Sequence, residues 1–440
     1  MSNPRPAGPY PLPGVSMTSW MIRFDKEGRC VSPATQAALM ASIPAVNPPE
    51  IIFFSHGWQT DFDGAKATYA EFLQKLEALT GGDSIAGRNL LFVGVTWPSK
   101  WLPGTEGPVM AGPAPSGRDE DNVAQVLEDL ASALPTPEAT EVYELAAAQS
   151  LNADQARRLA ELLIQATSAG AADAAELDDG DAGLPDTDAV LAAWRLLDAD
   201  TFADSEEPDF NTPGSLDDGP AQADAAGLLP FDPLDAIRIF SLYQMKDRAG
   251  RVGGRGVATL LSGLAAKAGV IYAVGHSFGC KVMLSAVKRA TLPSKDQVRM
   301  LLMQPALSHL AFSKSLLGSG KVAGYADVPG RVKRIYTTFS ANDGPLHDLF
   351  HLALLRKDDL GDRDALIAAA AAGNPPNRFA ALGGYGPREV AFAPLKLTTD
   401  DATYGQAGET IVALDGSGVI LGHSEIRIPA TARALRKLMG

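Results

Sequence analysis

The residues with the plainest capacity for chemistry are Gly275-His276-Ser277-Phe278-Gly279. A serine with glycines two residues to either side suits a tight, strained strand-to-helix turn, which lifts the hydroxyl clear of the backbone to attack an electrophilic carbon. The pentapeptide alone is weak, because with 43 glycines in 440 residues one arises by chance about one time in five. Its setting decides. A continuous apolar run, Val270 to Val274 (VIYAV), leads into it, and Cys280 to Lys288 follows with helical spacing.

A serine hydroxyl is a poor nucleophile at neutral pH and needs a general base. Six histidines are available: His56, His276, His309, His347, His351 and His423. Enzymes whose serine sits on such a strand-to-helix turn carry their partners in the chain order serine, acid, histidine. His423, in Gly422-His423-Ser424-Glu425, is the only histidine beyond residue 351 and is the expected base. The strand expected at Val332 to Phe339 runs into Ser340-Ala341-Asn342-Asp343-Gly344-Pro345. That places Asp343 where an orienting carboxylate belongs, to accept from the imidazole and stabilise its cation. Asp348 is the reserve; for either aspartate the plain alternative is a cap or a first-turn charge of a helix.

An attacked carbonyl develops negative charge and needs donors. The backbone N–H groups of Trp58, in the turn after Ile51 to Ser55, and of Phe278, directly after the serine, are the expected pair. His56 stands on the same side and is expected to stabilise that turn. Trp58, Trp97 and Trp101 are candidates for the wall of an apolar substrate pocket, with core packing equally open for Trp97.

Around these residues, the elements that must hold them alternate strand and helix, which implies a mostly parallel central sheet flanked by helices. Strands are expected at Ser19 to Phe24, Ile51 to Ser55, Leu90 to Thr96, Val270 to Val274, Met300 to Gln304, Val332 to Phe339 and Thr410 to Leu414. Helices are expected near Pro33 to Ile43, Gly64 to Leu79, Val257 to Ala268, Cys280 to Lys288 and Ala430 to Leu438. The core then comprises 18–102 and 236–440, restarting with a short apolar stretch at Ala236 to Leu242. Residues 1–17 read as an extended, proline-rich leader without the pattern of a secretory signal, so a cytoplasmic location is the default.

Between the two parts of the core lies an insertion, 103–235, with helical patches at Val123 to Leu134 and Ala153 to Ala166. Residues 171–235 hold 18 Asp and Glu against Arg195 alone. This segment is therefore −17 and the remaining residues sum to +3, which together make the net charge of −14. Its 171–230 part, poor in β-branched residues, is expected to be mobile: a solvated linker, or a lid over the serine. Neither the acidic balance nor the neutral body suits nucleic acid, although the insertion could recruit a basic protein partner. No apolar run is long enough for a bilayer. Cys30 and Cys280 are too few for a disulfide framework and read as reduced, structural thiols. No H-E-x-x-H helix or cysteine-histidine metal spacing occurs, and no metal or organic cofactor is implied.

Taken in order, HGW, TWPS, YQMKDRAGRVG, GHSFGCKV, SANDGPL and GHSEI resemble a group of bacterial and fungal serine hydrolases of the α/β-hydrolase superfamily, over residues 18–102 and 236–440. The resemblance implies the α/β-hydrolase fold and a triad of Ser277, Asp343 and His423, which the residues point to on their own. Tyr243 to Ala249 also looks like an element of that group, with no chemistry attached; Lys246, Asp247 and Arg248 read equally as a structural ion-pair cluster. The expected activity is hydrolysis of carboxylic esters, esterase- or lipase-like, through an acyl-enzyme on Ser277. The alternatives are an acyltransferase using the same triad and an inactive hydrolase scaffold that binds a partner.

Overall fold

The computed structural model describes residues 8–99, 127–171 except 129, 231–315, 322–348, 380–388 and 409–440, together with 187, 188, 190, 191, 194, 350, 390, 394–399 and 404. Trp101, His351, residues 123–126 and 129 of the patch at Val123 to Leu134 and nearly all of 171–230 lie outside the described residues, and with them the linker and lid expectations.

Eight strands form one sheet: β1 Thr18–Arg23, β2 Glu50–Ser55, β3 Leu90–Thr96, β4 Ile271–His276, β5 Val298–Met303, β6 Arg334–Phe339, β7 Leu395–Lys396 and β8 Ile411–Asp415. Their order is β1-β3-β2-β4-β5-β6-β8-β7, and every pairing is parallel. The central strands are apolar on both sides because both faces are covered: β2 reads EIIFFS and β4 IYAVGH, with all of β4 buried. The winding direction reverses between β2 and β4. In an open parallel sheet the crevice outside the carboxyl ends at such a reversal is where ligands bind. Ser277 follows β4 there directly.

One face is covered by the helices Phe62–Glu77 and Pro429–Met439, whose Tyr69, Phe72, Leu76, Leu435 and Leu438 pack over Phe54, Tyr272 and Leu301. The first of these starts cleanly because the Asp61 carboxylate caps the N–H of Gly64 at 2.7 Å. The opposite face carries Pro33–Ser42, Pro233–Val252, Ala258–Ala265 and Phe278–Arg289. Residues 8–17 are no free leader. They lie along the helix Phe62–Glu77, where Gln74 donates to the carbonyl of Pro13 at 2.7 Å and Glu77 accepts from the backbone of Ser16 and Met17.

Two expectations change. The stretch Ala236 to Leu242 belongs to a long helix, Pro233–Val252, capped by Asp232 on the N–H of Leu234 at 2.8 Å. Ala236, Ile237, Phe240 and Tyr243 recur at helical spacing and are buried, a period that a seven-residue window concealed. A core restart at 236 therefore falls inside a helix. In the insertion, the helical patch expected at Ala153 to Ala166 is the helix Ala153–Ala171, and Thr136–Ala146 is a further helix outside the expected patches; Leu159 and Leu163 enter the same core as Phe240. Leu151 and Phe231 exchange two backbone hydrogen bonds of 2.8 and 2.9 Å. They are braced by Trp194, whose ring packs edge-on against Phe231 and donates to the carbonyl of Asp232.

Beyond Val252 the helix continues through one π turn, Gly253–Val257, into Ala258–Ala265. A Cβ on Gly253 would lie 2.3 Å from the carbonyl oxygen of Val282, and one on Gly256 1.9 Å from that of Gly28. The glycines of the AGRVGGRG stretch thus let this helix press against Phe278–Arg289 on one side and the β1 turn on the other.

Candidate active site

Ser277 occupies φ 54°, ψ −126°, a conformation that costs a non-glycine residue on the order of 1–3 kcal/mol. The surroundings hold it there. Its N–H donates to the carbonyl of Met303 on β5 at 3.0 Å, and its carbonyl accepts from Cys280 at 3.0 Å. The turn is also pressed against β2. A Cβ on Gly279 would lie 2.2 Å from the carbonyl of Ser55, and one on Gly57 2.8 Å from Cβ of Ser277. Glycine is needed at both positions for close approach, which brings the His56-Gly57-Trp58 turn alongside the serine.

Asp343 and His423 come together as expected. Nδ1 of His423 lies 2.9 Å from both carboxylate oxygens of Asp343, and both side chains are almost fully buried. Burial alone would raise the Asp343 pKa. The His423 charge and hydrogen bond, the Gln304 amide and the N–H of Leu346 outweigh it and hold the carboxyl below its usual range. An ionised Asp343 leaves Nδ1 as the protonated nitrogen of His423 and Nε2 as the basic one.

The loop carrying His423 is fastened at both ends of the site. Its own carbonyl accepts from Nε2 of His276, the residue before the serine, at 2.9 Å, and the two imidazoles lie 5.0 Å apart. Burial foremost, then the neighbouring His423, pushes the His276 pKa down to about 3. It is therefore a neutral brace. At the other end, Ser340 donates to the carbonyl of Ile420 at 2.7 Å and Asn342 to that of Ser417 at 2.8 Å. The acid loop and the histidine loop are thus one stitched unit. Ser277 Oγ and His423 Nε2 are both buried, and neither has a hydrogen-bond partner among the described residues.

Neither the N–H of Trp58 nor that of Phe278 has an acceptor among the described residues. The Trp58 ring packs edge-on against Phe278 at 6.0 Å, and its Nε1 is buried without a partner among them. His56 is a turn residue: Nδ1 donates to the carbonyl of Gly57 at 2.8 Å, while Nε2 accepts from the N–H of Trp97 at 3.2 Å. Burial lowers its pKa to about 4. Trp97 stacks on that ring at 5.6 Å and 8° and is 4% exposed, which makes it part of the turn's support. Asp348 ends the short helix Gly344–Asp348, whose first turn Asp343 caps through Leu346 at 3.2 Å. The expected capping role therefore falls to the aspartate that also grips the histidine.

Arg248, in the stretch Tyr243 to Ala249, donates to the carbonyl of Pro98 at 3.1 Å and ties its helix to the loop after β3. Residues that sequence reasoning passed over are Gln304, Ser340, Asn342 and the bracing role of His276. Gln304 had one visible signal: it is the only polar residue closing the run MLLMQ. Among the described residues no group of His, Cys, Asp and Glu could hold a metal ion, no helix is long and apolar enough to cross a membrane, and Cys30 and Cys280 are free thiols.

Chemically, the buried carboxylate fixes one imidazole nitrogen of His423 and leaves the other to accept a proton; Ser277 Oγ and His423 Nε2 do not hydrogen-bond to each other in this structure. No known protein family, curated protein or solved structure matches this chain, so its function has to be read from this geometry.

Proposed function

We propose that the protein is a serine hydrolase of the α/β-hydrolase fold that cleaves carboxylic esters through an acyl-enzyme on Ser277. The observation that carries the reading is the pairing of His423 with Asp343 at 2.9 Å, on a loop whose backbone is held by the residue next to Ser277. Three things support it further. Ser277 sits on a positive-φ turn between a central parallel strand and a helix. The three groups follow the chain order serine, aspartate, histidine, after β4, β6 and β8. Two N–H groups without an acceptor among the described residues stand in the turns on either side of the serine.

In this mechanism Ser277 attacks the ester carbonyl and His423 takes the hydroxyl proton on Nε2. Asp343 accepts from Nδ1 and stabilises the imidazolium. The N–H groups of Trp58 and Phe278 bind the oxyanion. Collapse of the intermediate expels the alcohol, protonated by His423, and a water repeats the sequence to release the acid.

Labelling with a fluorophosphonate probe tests the reading. An adduct on Ser277, lost in Ser277→Ala, is the expected result. A folded wild-type protein that gains no adduct would overturn it and leave a binding scaffold. A series of p-nitrophenyl esters of rising chain length then separates esterase from lipase, and an added alcohol or amine acceptor reveals acyl transfer.

A further inference from the structure

We propose that Gln304 is a positioning residue of this site, which keeps Asp343 ionised and aimed at His423; the inference rests on the serine-hydrolase reading above. Gln304 directly follows β5 and is fully buried. It holds φ 45° without being a glycine, so the fold bears a backbone strain to place this side chain. Nε2 donates to Oδ2 of Asp343 at 2.8 Å and to the carbonyl of Gly383 at 3.2 Å.

The amide cannot turn over. The Thr338 hydroxyl accepts from the Gln304 N–H at 3.0 Å and donates to its Oε1 at 2.8 Å. A reversed amide would set its oxygen against both the Asp343 carboxylate and the carbonyl of Gly383, so the network fixes which end faces Asp343.

The bond matters because of where Asp343 sits. Its carboxylate is fully buried, and burial penalises the charged form. Oδ1 accepts from Leu346, and Oδ2 accepts from Gln304. Without the amide, Oδ2 keeps only its share of the His423 proton, and the carboxyl group is held against rotation on one oxygen alone. The adjacent Met303 carbonyl meanwhile holds the Ser277 N–H. Two consecutive residues at the end of β5 therefore grip the nucleophile turn and the acid, which couples the spacing of the two.

A pH profile separates this role from simple packing. In Gln304→Glu a carboxyl group faces Asp343, and two carboxylates so close share one proton until the pH is high enough to remove it. While that proton is present, the introduced carboxyl group donates as the amide does. Once it leaves, two buried negative charges repel.

The rate of fluorophosphonate labelling and the kcat/KM for p-nitrophenyl acetate are measured from pH 5.5 to 9 in wild type, Gln304→Glu and Gln304→Met. The expected result for Gln304→Glu is near wild-type rate at the acid end, with a falling alkaline limb that wild type lacks. Gln304→Met, which has no donor, loses about tenfold to a hundredfold in kcat at every pH, with KM little changed. Thermal unfolding and circular dichroism verify that both variants are folded. Equal losses at all pH values in both, or none in either, would overturn the positioning role while leaving the hydrolase reading intact. Failure of wild type to label at all would overturn the hydrolase reading itself.

Discussion

At the level of single residues, the buried carboxylate sets the first expectation. Asp343→Asn preserves shape but removes the charge that selects the Nδ1-protonated imidazole, so kcat should fall by about 10⁴, and Tm at neutral pH should fall as well because a charge that stabilises the fold is lost. An effect under tenfold would remove Asp343 from the mechanism. Buried imidazoles set a second. His56, His276 and His309 are pushed down to about 4, 3 and 4 from the ordinary 6.5, in each case chiefly by burial. The fold therefore favours their neutral forms. That preference costs nothing above pH 6.5 and erodes stability as the pH falls from there towards the folded values, because the unfolded chain then takes up protons that the folded one refuses. Three such groups give a slope on the order of 4 kcal/mol per pH unit near pH 5. Asp343 acts in the same direction, but only below the ordinary carboxylate range, since its stabilising charge is lost there. Urea midpoints measured between pH 8 and 4.5 check this, and a flat profile would contradict it. His309 has no partner on either ring nitrogen among the described residues, so His309→Leu should reduce the slope by about a third and be stabilising at pH 5.

At the level of elements, the packing of one helix on another decides whether the serine turn keeps its shape. Gly253→Ala drives a methyl into the carbonyl of Val282, in the helix that begins at Phe278. Destabilisation of about 1–3 kcal/mol by urea titration is expected, together with slower labelling of Ser277; an unchanged midpoint would show that the helices can part at no cost. The strands and helices around the site were legible because their apolar runs are short, buried on two faces and punctuated by turns: β3 matches the expected Leu90 to Thr96 at both ends. Pro233–Val252 was not legible as a helix, because polar and charged residues that pack inward, Ser241, Lys246 and Arg248, blur its apolar stripe. Of the site, Ser277, Asp343 and His423 could be picked out by type and order. Gln304, Ser340 and Asn342 could not. Their meaning lies in partners on other strands and loops, and a single amide or hydroxyl carries no pattern of its own.

For the molecule as a whole, the register of the central strands has a consequence for how the chain is born. Ile51 lies beside Ile271, so about half of the 440-residue chain must leave the ribosome between synthesis of β2 and arrival of its partner β4. Until then the IIFF edge of β2 is an open, apolar template for the wrong strand. The intervening residues add little to the closure cost, which grows only by about 0.6 kcal/mol per doubling of a loop, but they add time. Nascent chains arrested before Ile271 should be cleaved by protease as unfolded chains are, with protection appearing only after His276 has cleared the exit tunnel. Arrested chains already resistant at residue 250 would show instead that the amino-terminal strands stand alone. If protection does wait for β4, the turn that presents Ser277 forms late, and it still lacks its bond to Met303 until β5 arrives, so half-made copies of this protein present no finished serine turn.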